Sequence, residues 1–300
     1  MAIDLFAGTG AFSLAFGNTV FANDMAPPSK TIYDANFSHK LTLKDLNDIR
    51  LEDIPPHDIL TGGFPCQPFS IAGHREGFDD KRSNVFWKIL EILEHHHPKC
   101  IVLENVKNLM SHDDKKTFGV IKEQLESKGY HLHYKVLNTA EITGIPHHRE
   151  RIYIVGLLSD APFSLDFPKL QKRHISEFLE QNIPDKYYYT ATSSTWPLVS
   201  TNVTKKNTIY QYRRVYVREN KSGECPTLTA NMGTGGHNVP IILDDKGIRK
   251  LTPRECFNLQ GFPSTYILPP LADSKLYTLA GNAVSVPVVQ LIAERLKSVL

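Results

Sequence analysis

The chain has few of the features that mark secreted, membrane-bound or metal-stabilised proteins. Its 300 residues include four cysteines, which are Cys66, Cys100, Cys225 and Cys256. None of them has CxxC spacing, so we expect neither a zinc site nor a disulfide framework. No stretch approaches the roughly 20 apolar residues of a membrane span, and the first residues lack the basic and apolar parts of a secretory signal. These absences predict a cytoplasmic protein without membrane contact or bound metal.

Net charge is also low. A formal charge of +2 does not by itself indicate a nucleic-acid partner. Residues 205–221 differ from the rest, because basic residues outnumber acidic ones there and tyrosines are interleaved with them. This mixture suits phosphate contact combined with base stacking, and a solvated strand face explains it equally well. The basic residues of the segment are Lys205, Lys206, Arg213, Arg214, Arg218 and Lys221.

Short apolar runs alternate with amphipathic segments in the first half of the chain. This alternation predicts an α/β protein with a mostly parallel sheet covered by helices. Two further strands joined by a loop, at 132–137 and 151–157, predict an antiparallel pair at the sheet edge. The other expected strands are 2–6, 19–23, 58–61 and 100–104, and the expected helices are 84–97 and 117–128.

The pattern changes after residue 158, where prolines recur without a steady period. A helical pattern returns only at 285–300. We therefore expect a larger domain formed by residues 1–160 and 272–300, and a smaller, loop-rich domain formed by residues 161–271.

Residues 3–13 have the pattern of a strand, a glycine turn and the start of a helix. Gly8 and Gly10 would let a ligand approach the backbone at the helix N-terminus. Asp24 closes the next predicted strand, where an acid can bind ribose hydroxyls. A tight turn and a helix cap are the plainer explanations of these residues. Together they favour a nucleoside-bearing cofactor, although the GxGxxG motif of dinucleotide sites is missing.

Cys66 lies between two prolines, just after an apolar run that ends in Gly62 and Gly63. Prolines restrict the backbone on both sides of the thiol, and glycines allow a sharp turn away from a strand. The pattern predicts a sulfur presented at the carboxyl end of a strand, where open α/β sheets bind ligands. A buried packing cysteine is the alternative.

Five motifs occur in a fixed order along the chain. They are Phe-Ala-Gly-Thr-Gly at 6–10, Pro-Cys-Gln at 65–67, Glu-Asn-Val at 104–106, Arg-Glu-Arg at 149–151 and Gly-Asn-Ala-Val at 281–284. With these motifs the chain resembles the DNA (cytosine-5) methyltransferases, most closely the compact bacterial enzymes of restriction–modification systems, and only about residues 158–203 lack a match. The resemblance implies a Rossmann-like, S-adenosylmethionine-dependent methyltransferase fold with an antiparallel edge strand, plus a small target-recognition domain.

The resemblance implies methyl transfer to carbon 5 of a cytosine in a specific duplex DNA sequence. Cys66 would add covalently to carbon 6 of the ring. Glu104 would protonate ring nitrogen 3, for which a raised pKa is expected. Arg151 would bind the ring oxygen and Arg149 would orient the carboxylate. His147 replaces the glutamine that is usual in the family, and its effect is open.

The resemblance also implies binding residues. The loop at 69–82 would close over a cytosine flipped out of the duplex. Cofactor residues would be Phe6, Gly8, Thr9, Gly10, Asp24, Met25, Asp45, Leu46, Pro65, Asn282, Ala283 and Val284. DNA-binding residues would be Gln67, Ser70, Arg82, Arg213, Arg214, Arg218, Thr227, Asn231, Gly235 and His237.

The predicted partner is double-stranded DNA, bound by a monomer in the bacterial cytoplasm at the nucleoid. The cofactor product would be S-adenosyl-L-homocysteine, and a cognate restriction endonuclease would belong to the same cell. The alternatives are an RNA methyltransferase of the same fold, a non-catalytic DNA-binding relative and, more distantly, a nicotinamide dehydrogenase.

Overall fold

The computed structural model describes residues 1–65, 85–235 and 238–300. The chain forms two compact units. The first comprises Met1–Leu137, Glu150–Phe167 and Val288–Leu300, and the second comprises Asn138–Arg149 and Pro168–Pro287. The bounds of these units differ from the predicted domain boundaries, because residues 138–149 and 272–287 belong to the second unit and residues 161–167 belong to the first. The functional division at residues 160 and 271 stays a prediction.

A seven-stranded sheet with the order β3-β2-β1-β4-β5-β7-β6 organises the first unit. The pairs among β1 to β5 are parallel, whereas β7 runs antiparallel to β5. The predicted mostly parallel sheet with an antiparallel edge is therefore confirmed. The strands are β1 (Ala2–Leu5), β2 (Thr19–Asp24), β3 (Thr42–Leu43), β4 (Ile59–Gly63), β5 (Cys100–Val106), β6 (His131–Asn138) and β7 (Glu150–Leu157).

Apolar periodicity explains the helices of this unit. One helix, Val85–His96, buries Phe86, Ile89 and Leu93, which recur at the spacing of one helical face. The predicted strands and helices of the first half are confirmed, with ends that differ by one or two residues. The helices are α1 (Ala11–Phe16), α2 (Pro27–Asn36), α3 (Val85–His96) and α4 (Lys116–Ser127).

The connection between β6 and β7 differs from the expected loop, because it contains helix α5 (Thr139–Thr143). The side chain of Asn138 accepts a hydrogen bond from the Ala140 amide and so caps this helix. Gly144 ends it in the left-handed conformation. The helix is only five residues long, too short to produce a recognisable period.

A four-stranded antiparallel sheet, in the order β11-β10-β8-β9, lies in the second unit. Its strands have three or four residues each, so no alternation was long enough to predict them. They are β8 (Ile209–Tyr212), β9 (Val217–Asn220), β10 (Ile241–Leu243) and β11 (Ile248–Lys250), and the remaining helices are α6 (Trp196–Asn202), α7 (Pro253–Leu259), α8 (Asp273–Asn282) and α9 (Val286–Leu296).

By length and composition alone, the stretch Asp273–Leu296 could cross a membrane. However, 67% of its apolar window is buried inside the protein, as in a core helix. Packing against the protein interior accounts for its hydropathy.

A buried carboxyl group, Asp4, lies on β1 just before the glycine turn. Its Oδ2 accepts hydrogen bonds from the Ser13 amide at 3.1 Å and the Ser13 hydroxyl at 2.7 Å. Ser13 is in turn 2.7 Å from the hydroxyl of Tyr33, which contacts His39 Nε2. Burial raises the pKa of Asp4 to about 7, although the bonds from Ser13 oppose this shift. Asp4 therefore joins β1 to the start of α1 beneath the turn.

Asp4→Asn should flatten the pH dependence of stability. The folded-state pKa of about 7 exceeds the ordinary 3.8, so the wild-type protein loses stability as pH rises from about 4 to about 7. At about 1.4 kcal/mol per unit, this loss amounts to about 4 kcal/mol. Asparagine cannot ionise, yet it can still accept both bonds from Ser13. Chemical denaturation between pH 5 and pH 8 measures the difference, with the exposed Asp48→Asn as control. Parallel profiles for Asp4→Asn and wild type would contradict this role of burial.

Candidate active site

The order of the first sheet reverses at β1, which lies between β2 on one side and β4 on the other. Ligands of open α/β sheets bind in the crevice at the carboxyl ends of the strands where this reversal occurs. Residues Phe6 to Gly10 follow β1, and Pro65 follows β4. The predicted cofactor residues of the amino-terminal turn thus lie at the expected edge of the sheet.

The turn after β1 is held by Asp24 at the end of β2. Asp24 Oδ2 accepts the amide of Gly8 at 2.9 Å, and Oδ1 accepts the amide of Ala26 at 2.8 Å. Phe6 and Gly8 both have positive φ, of 55° and 52°, so the turn bends sharply. The turn therefore explains the glycines. Asp24 binds the amide of Ala26, the N-cap residue of α2, and no described side chain caps that helix. A carboxylate has further lone pairs, so Asp24 remains able to accept ribose hydroxyls.

Gly10 is needed for packing inside the protein. Its φ is 74°, and a Cβ there would lie 2.3 Å from a ring carbon of Phe37. This contact explains the glycine without a ligand. Thr9 beside it is buried.

The other predicted cofactor residues of the first unit differ in exposure. Met25, which directly follows β2, is 68% exposed. Asp45 caps a short 3₁₀ turn through the Asn47 amide, and Leu46 is buried in the core. The loop offers backbone amides as donors and carboxylates as acceptors, and an exposed methionine lies beside it. These groups fit a ligand that has a ribose and a base with an apolar face. The residues of this edge are therefore compatible with S-adenosylmethionine.

Asn282, Ala283 and Val284 belong to the second unit. Asn282 is the last residue of α8 and is exposed, whereas Ala283 is buried. The assignment of these three residues to the cofactor stays a prediction.

Glu104 and Arg151 form a contact at the neighbouring strand ends. Glu104 lies on β5 opposite Gly63 of β4, three residues before Cys66. The Arg151 Nε is 3.2 Å from Glu104 Oε1, and Glu104 is only 7% exposed. Glu104 is thus a buried carboxyl group and not a surface one. The contact with Arg151 holds it at the edge of the sheet where β4 ends.

The structure gives the two arginines different surroundings. The resemblance implied that Arg149 orients the carboxylate, whereas here Arg151 contacts Glu104. The roles of both arginines toward a cytosine stay predictions, as does the raised pKa expected for Glu104.

Asn105 is a positioning residue that the sequence analysis did not single out. Its Nδ2 donates to the Phe64 carbonyl at 2.9 Å, and its Oδ1 accepts the Val106 amide. The bond to Phe64 ties β5 to the chain two residues before Cys66. The only sequence signal was its place in the Glu-Asn-Val motif.

Several predicted residues lie outside the described part of the chain. They are Cys66, Gln67, Ser70, Arg82 and His237, together with the whole loop at 69–82. The three described cysteines, Cys100, Cys225 and Cys256, are all buried. Burial raises the pKa of each thiol, to about 12 for Cys100, so none of the three is a reactive nucleophile. Among the described residues, no group of three His, Cys, Asp or Glu side chains could hold a metal ion.

Arg149 and His147 join three segments within the second unit. Arg149 is 2% exposed and donates to the carbonyls of Leu228, Gly281 and Ala283. His147 is fully buried, and its Nε2 accepts the Leu228 amide while Nδ1 contacts the Leu259 carbonyl. Because a carbonyl only accepts, Nδ1 carries the proton and the imidazole is neutral. The histidine therefore joins the backbone at Leu228 to the backbone at Leu259.

Four of the predicted DNA-binding residues line one cavity of about 760 Å³ in the second unit. They are Arg213, Arg218, Thr227 and Asn231. Thr227 is positioned by a 2.6 Å hydrogen bond to the carbonyl of His148. Arg214 and Gly235 line a separate cavity of about 660 Å³. The six predicted DNA-binding residues that the structure describes thus divide between two cavities.

An α/β sheet with a glycine turn at its switch point, and a buried glutamate at the next strand end, defines an enzyme that uses a nucleoside-bearing cofactor. The chain belongs to the C-5 cytosine-specific DNA methylase family, whose model matches residues 1–298. It is therefore a DNA cytosine-5 methyltransferase, as the motifs predicted, and the dehydrogenase alternative is excluded.

Relatives and solved structures agree with this assignment. The Type II methyltransferase M.Bsp6I of Bacillus sp. (strain RFL6) is 48% identical, over 99% of this chain and 98% of its own. M.HaeII of Haemophilus aegyptius is 40% identical, over 97% and 91%. The S. pombe Dnmt2 methyltransferase has the same fold, with a TM-score of 0.79 at 22% identity over 99% of this chain and 98% of its own.

Arg149→Lys should destabilise the protein by roughly 2–4 kcal/mol, because a lysine cannot satisfy three buried carbonyls that a guanidinium fork reaches. Chemical denaturation at constant pH measures this loss. Arg173→Lys is the control, since Arg173 is 51% exposed and its described side-chain contacts are with Glu177 and the ring of Phe178. Equal stability of the two variants would show that the bonds of Arg149 contribute little.

Proposed function

We propose that this protein transfers a methyl group from S-adenosylmethionine to carbon 5 of a cytosine flipped out of duplex DNA, through a covalent adduct with Cys66. The buried Glu104 carboxyl group carries this proposal. It is held by Arg151 beside the strand that leads into Pro65 and Cys66. Glu104 lies opposite Gly63 of β4, and Cys66 follows three residues later in the sequence. An acid and a thiol would suit a flat heterocycle that needs both.

The chemistry assigns each side chain a step. Carbon 5 of cytosine is a poor nucleophile, and addition of the Cys66 sulfur to carbon 6 makes the ring enamine-like. Glu104 would donate a proton to ring nitrogen 3, which relieves the negative charge that the addition places in the ring. After the methyl group has been transferred to carbon 5, a base such as water would take the carbon 5 proton, the sulfur would leave as a thiolate, and the proton on ring nitrogen 3 would return to Glu104. These steps restore the ring and free Cys66.

The cofactor would bind at the carboxyl ends of β1 and β2. When bound, S-adenosylmethionine supplies the methyl group as a sulfonium that carbon 5 of the activated ring can attack. Asp24 would accept the ribose hydroxyls, and Gly8 would allow close approach of the backbone. Phe6, Met25 and Leu46 would offer apolar contact to the base or the methionine.

DNA would bind to the second unit. Arg213 and Arg218 line the cavity of about 760 Å³ and suit backbone phosphates. Thr227 and Asn231 line the same cavity and suit base edges. The target base has to leave the stack, because neither face of a stacked ring is accessible to a thiol.

The biological setting follows from the relatives. Two of them are named Type II methyltransferases, so we infer that this protein is the modification enzyme of a restriction–modification system. It would act as a monomer on DNA in the bacterial cytoplasm, alongside a cognate endonuclease.

The proposed reaction is tested by incubating duplex DNA with the purified protein and S-adenosylmethionine, followed by bisulfite sequencing. We expect protection of one cytosine within a fixed short sequence, which also identifies the recognition site. Transfer RNA is the second substrate. Methylation of RNA and not of DNA would replace the proposal with the RNA alternative.

Cys66→Ser should abolish methyl transfer while leaving the affinity for S-adenosylmethionine unchanged, because a serine hydroxyl is a far weaker nucleophile at neutral pH. Radiolabelled methyl transfer and calorimetric cofactor binding measure the two effects. Cys100→Ala, at a buried thiol of the same unit, should keep the activity. Full turnover in Cys66→Ser would rule out the covalent mechanism.

Glu104→Gln should reduce turnover by roughly 10²–10⁴-fold, since positioned acid–base catalysis contributes about that much. An amide keeps the shape of the side chain but has no acidic proton. Single-turnover kinetics with saturating DNA report the effect, and Glu141→Gln on the exposed face of α5 is the control. A turnover within about threefold of wild type would remove Glu104 from the proton transfer.

A further inference from the structure

A second cavity, of about 660 Å³, lies in the second unit and has no part in the proposed reaction. Most of its lining comes from residues 186–195. They belong to the segment 158–203, where the sequence shows no motif of the family. The volume is within the range of about 300–1,000 Å³ that is typical of ligand pockets. Most of the lining of this cavity therefore lies outside the family motifs of the sequence.

The lining of this cavity offers hydrogen-bond donors and positive charge. Lys186, Arg214 and Lys250 contribute cations, and no acidic residue is found among the described residues that line it. Lys186 pairs with Asp273 at 2.7 Å, which neutralises one of these charges. Lys250 and Arg214 form no ion pair with a carboxylate in the described part of the chain. Two positive charges therefore remain for an anionic ligand.

Lys250 is held in place by aromatic rings. Its Nζ lies 6.0 Å from the centre of the Tyr187 ring and 5.9 Å from that of Tyr277, within or near the range of cation–π contact. Tyr187 is only 7% exposed, so its ring belongs to the buried lining of the cavity. The ammonium group is thus positioned without being neutralised.

Hydroxyl groups complete the donor set. Ser193 Oγ and Thr195 Oγ1 lie 2.9 Å apart, so one of the two donates to the other. The proton of the accepting hydroxyl stays available for a ligand. Ser194, between them, is exposed and also lines the cavity. A lining of cations and hydroxyls matches a phosphate, which only accepts hydrogen bonds.

The hairpin of β8 and β9 connects this cavity with the one that holds Arg213 and Arg218. Tyr212 lines both cavities, and the consecutive residues Arg213 and Arg214 line one each. A single extended polyanion that passes over the hairpin would therefore contact both. This continuity favours the backbone of DNA over a free nucleotide.

We propose that the cavity lined by Lys186 to Thr195, Arg214 and Lys250 binds a backbone phosphate of the DNA substrate, with the adjoining deoxynucleotide against its tyrosine rings. The contact strengthens binding at a position outside the recognised bases. This inference rests on the proposed action on duplex DNA. It extends the predicted DNA contact of Arg214 to a phosphate site that includes Lys250 and the hydroxyls of residues 193–195.

Lys250→Gln tests the proposal, with Lys275→Gln as the matched control because Lys275 is exposed and does not line the cavity. We expect Lys250→Gln to weaken binding of the methylation-site duplex about 3- to 10-fold. The slope of log K against log salt concentration should fall by about 0.9, the value for one lost phosphate contact. Ethylation of one particular phosphate of the duplex should weaken binding by the wild-type protein. Ethylation of the same phosphate should leave binding by Lys250→Gln unchanged.

Ser194→Ala provides a second variant at an exposed site, so its effect does not depend on folding. It should weaken duplex binding about two- to threefold without changing the affinity for S-adenosylmethionine. Duplex affinity and salt slope equal to the control in both variants would overturn the proposal. Deoxyadenosine monophosphate tests whether the cavity binds a free nucleotide instead. If this nucleotide binds the wild-type protein but not Lys250→Gln, and both proteins bind the duplex equally well, the cavity is a site for a free nucleotide and the proposal is wrong.

The same preparations separate this inference from the proposed function. Wild-type protein that methylates duplex DNA, together with unchanged binding in both variants, contradicts only the phosphate site. Wild-type protein that transfers no methyl group to DNA contradicts the proposed function, whatever the variants show.

Discussion

The second unit depends on the hydrogen bonds that the buried guanidinium of Arg149 donates. This guanidinium joins the carbonyls of Leu228, Gly281 and Ala283, which are far apart in sequence. Leu228 is held from both sides, because its amide donates to His147 Nε2 while its carbonyl accepts from Arg149. The backbone beside Thr227 is therefore fixed by two neighbouring side chains. A residue that the motif suggested for catalysis here positions the chain that is proposed to contact DNA.

In the first unit, the ends of the strands position the functional residues. Parallel β1, β4 and β5 end at one edge, so the glycine turn, Pro65 and Glu104 are brought to that edge although they are distant in sequence. Asp24 holds the turn, and Asn105 holds the backbone at Phe64. The groups proposed to bind the cofactor and to protonate the base are thus positioned by hydrogen bonds from the sheet itself.

The two cavities of the second unit show how recognition could be divided. One contains Thr227 and Asn231, which suit base edges, beside two arginines that suit phosphates. The other contains cations and hydroxyls that suit a phosphate. They meet at the hairpin of β8 and β9, whose strands have only four residues each. A short hairpin of this kind can vary in sequence at little cost to the fold, since its tip is exposed.

The sequence by itself determined the family, the parallel sheet and the candidate residues at the strand ends, because apolar periods and ordered motifs are local properties. Only the tertiary structure decided that Arg151 contacts Glu104 and that Lys250 lines a cavity. It also decided that His147 is buried and neutral and forms hydrogen bonds with the backbone. Such facts depend on contacts between distant segments, which no local pattern encodes. The same reason explains why the three- and four-residue strands and helix α5 were not predicted.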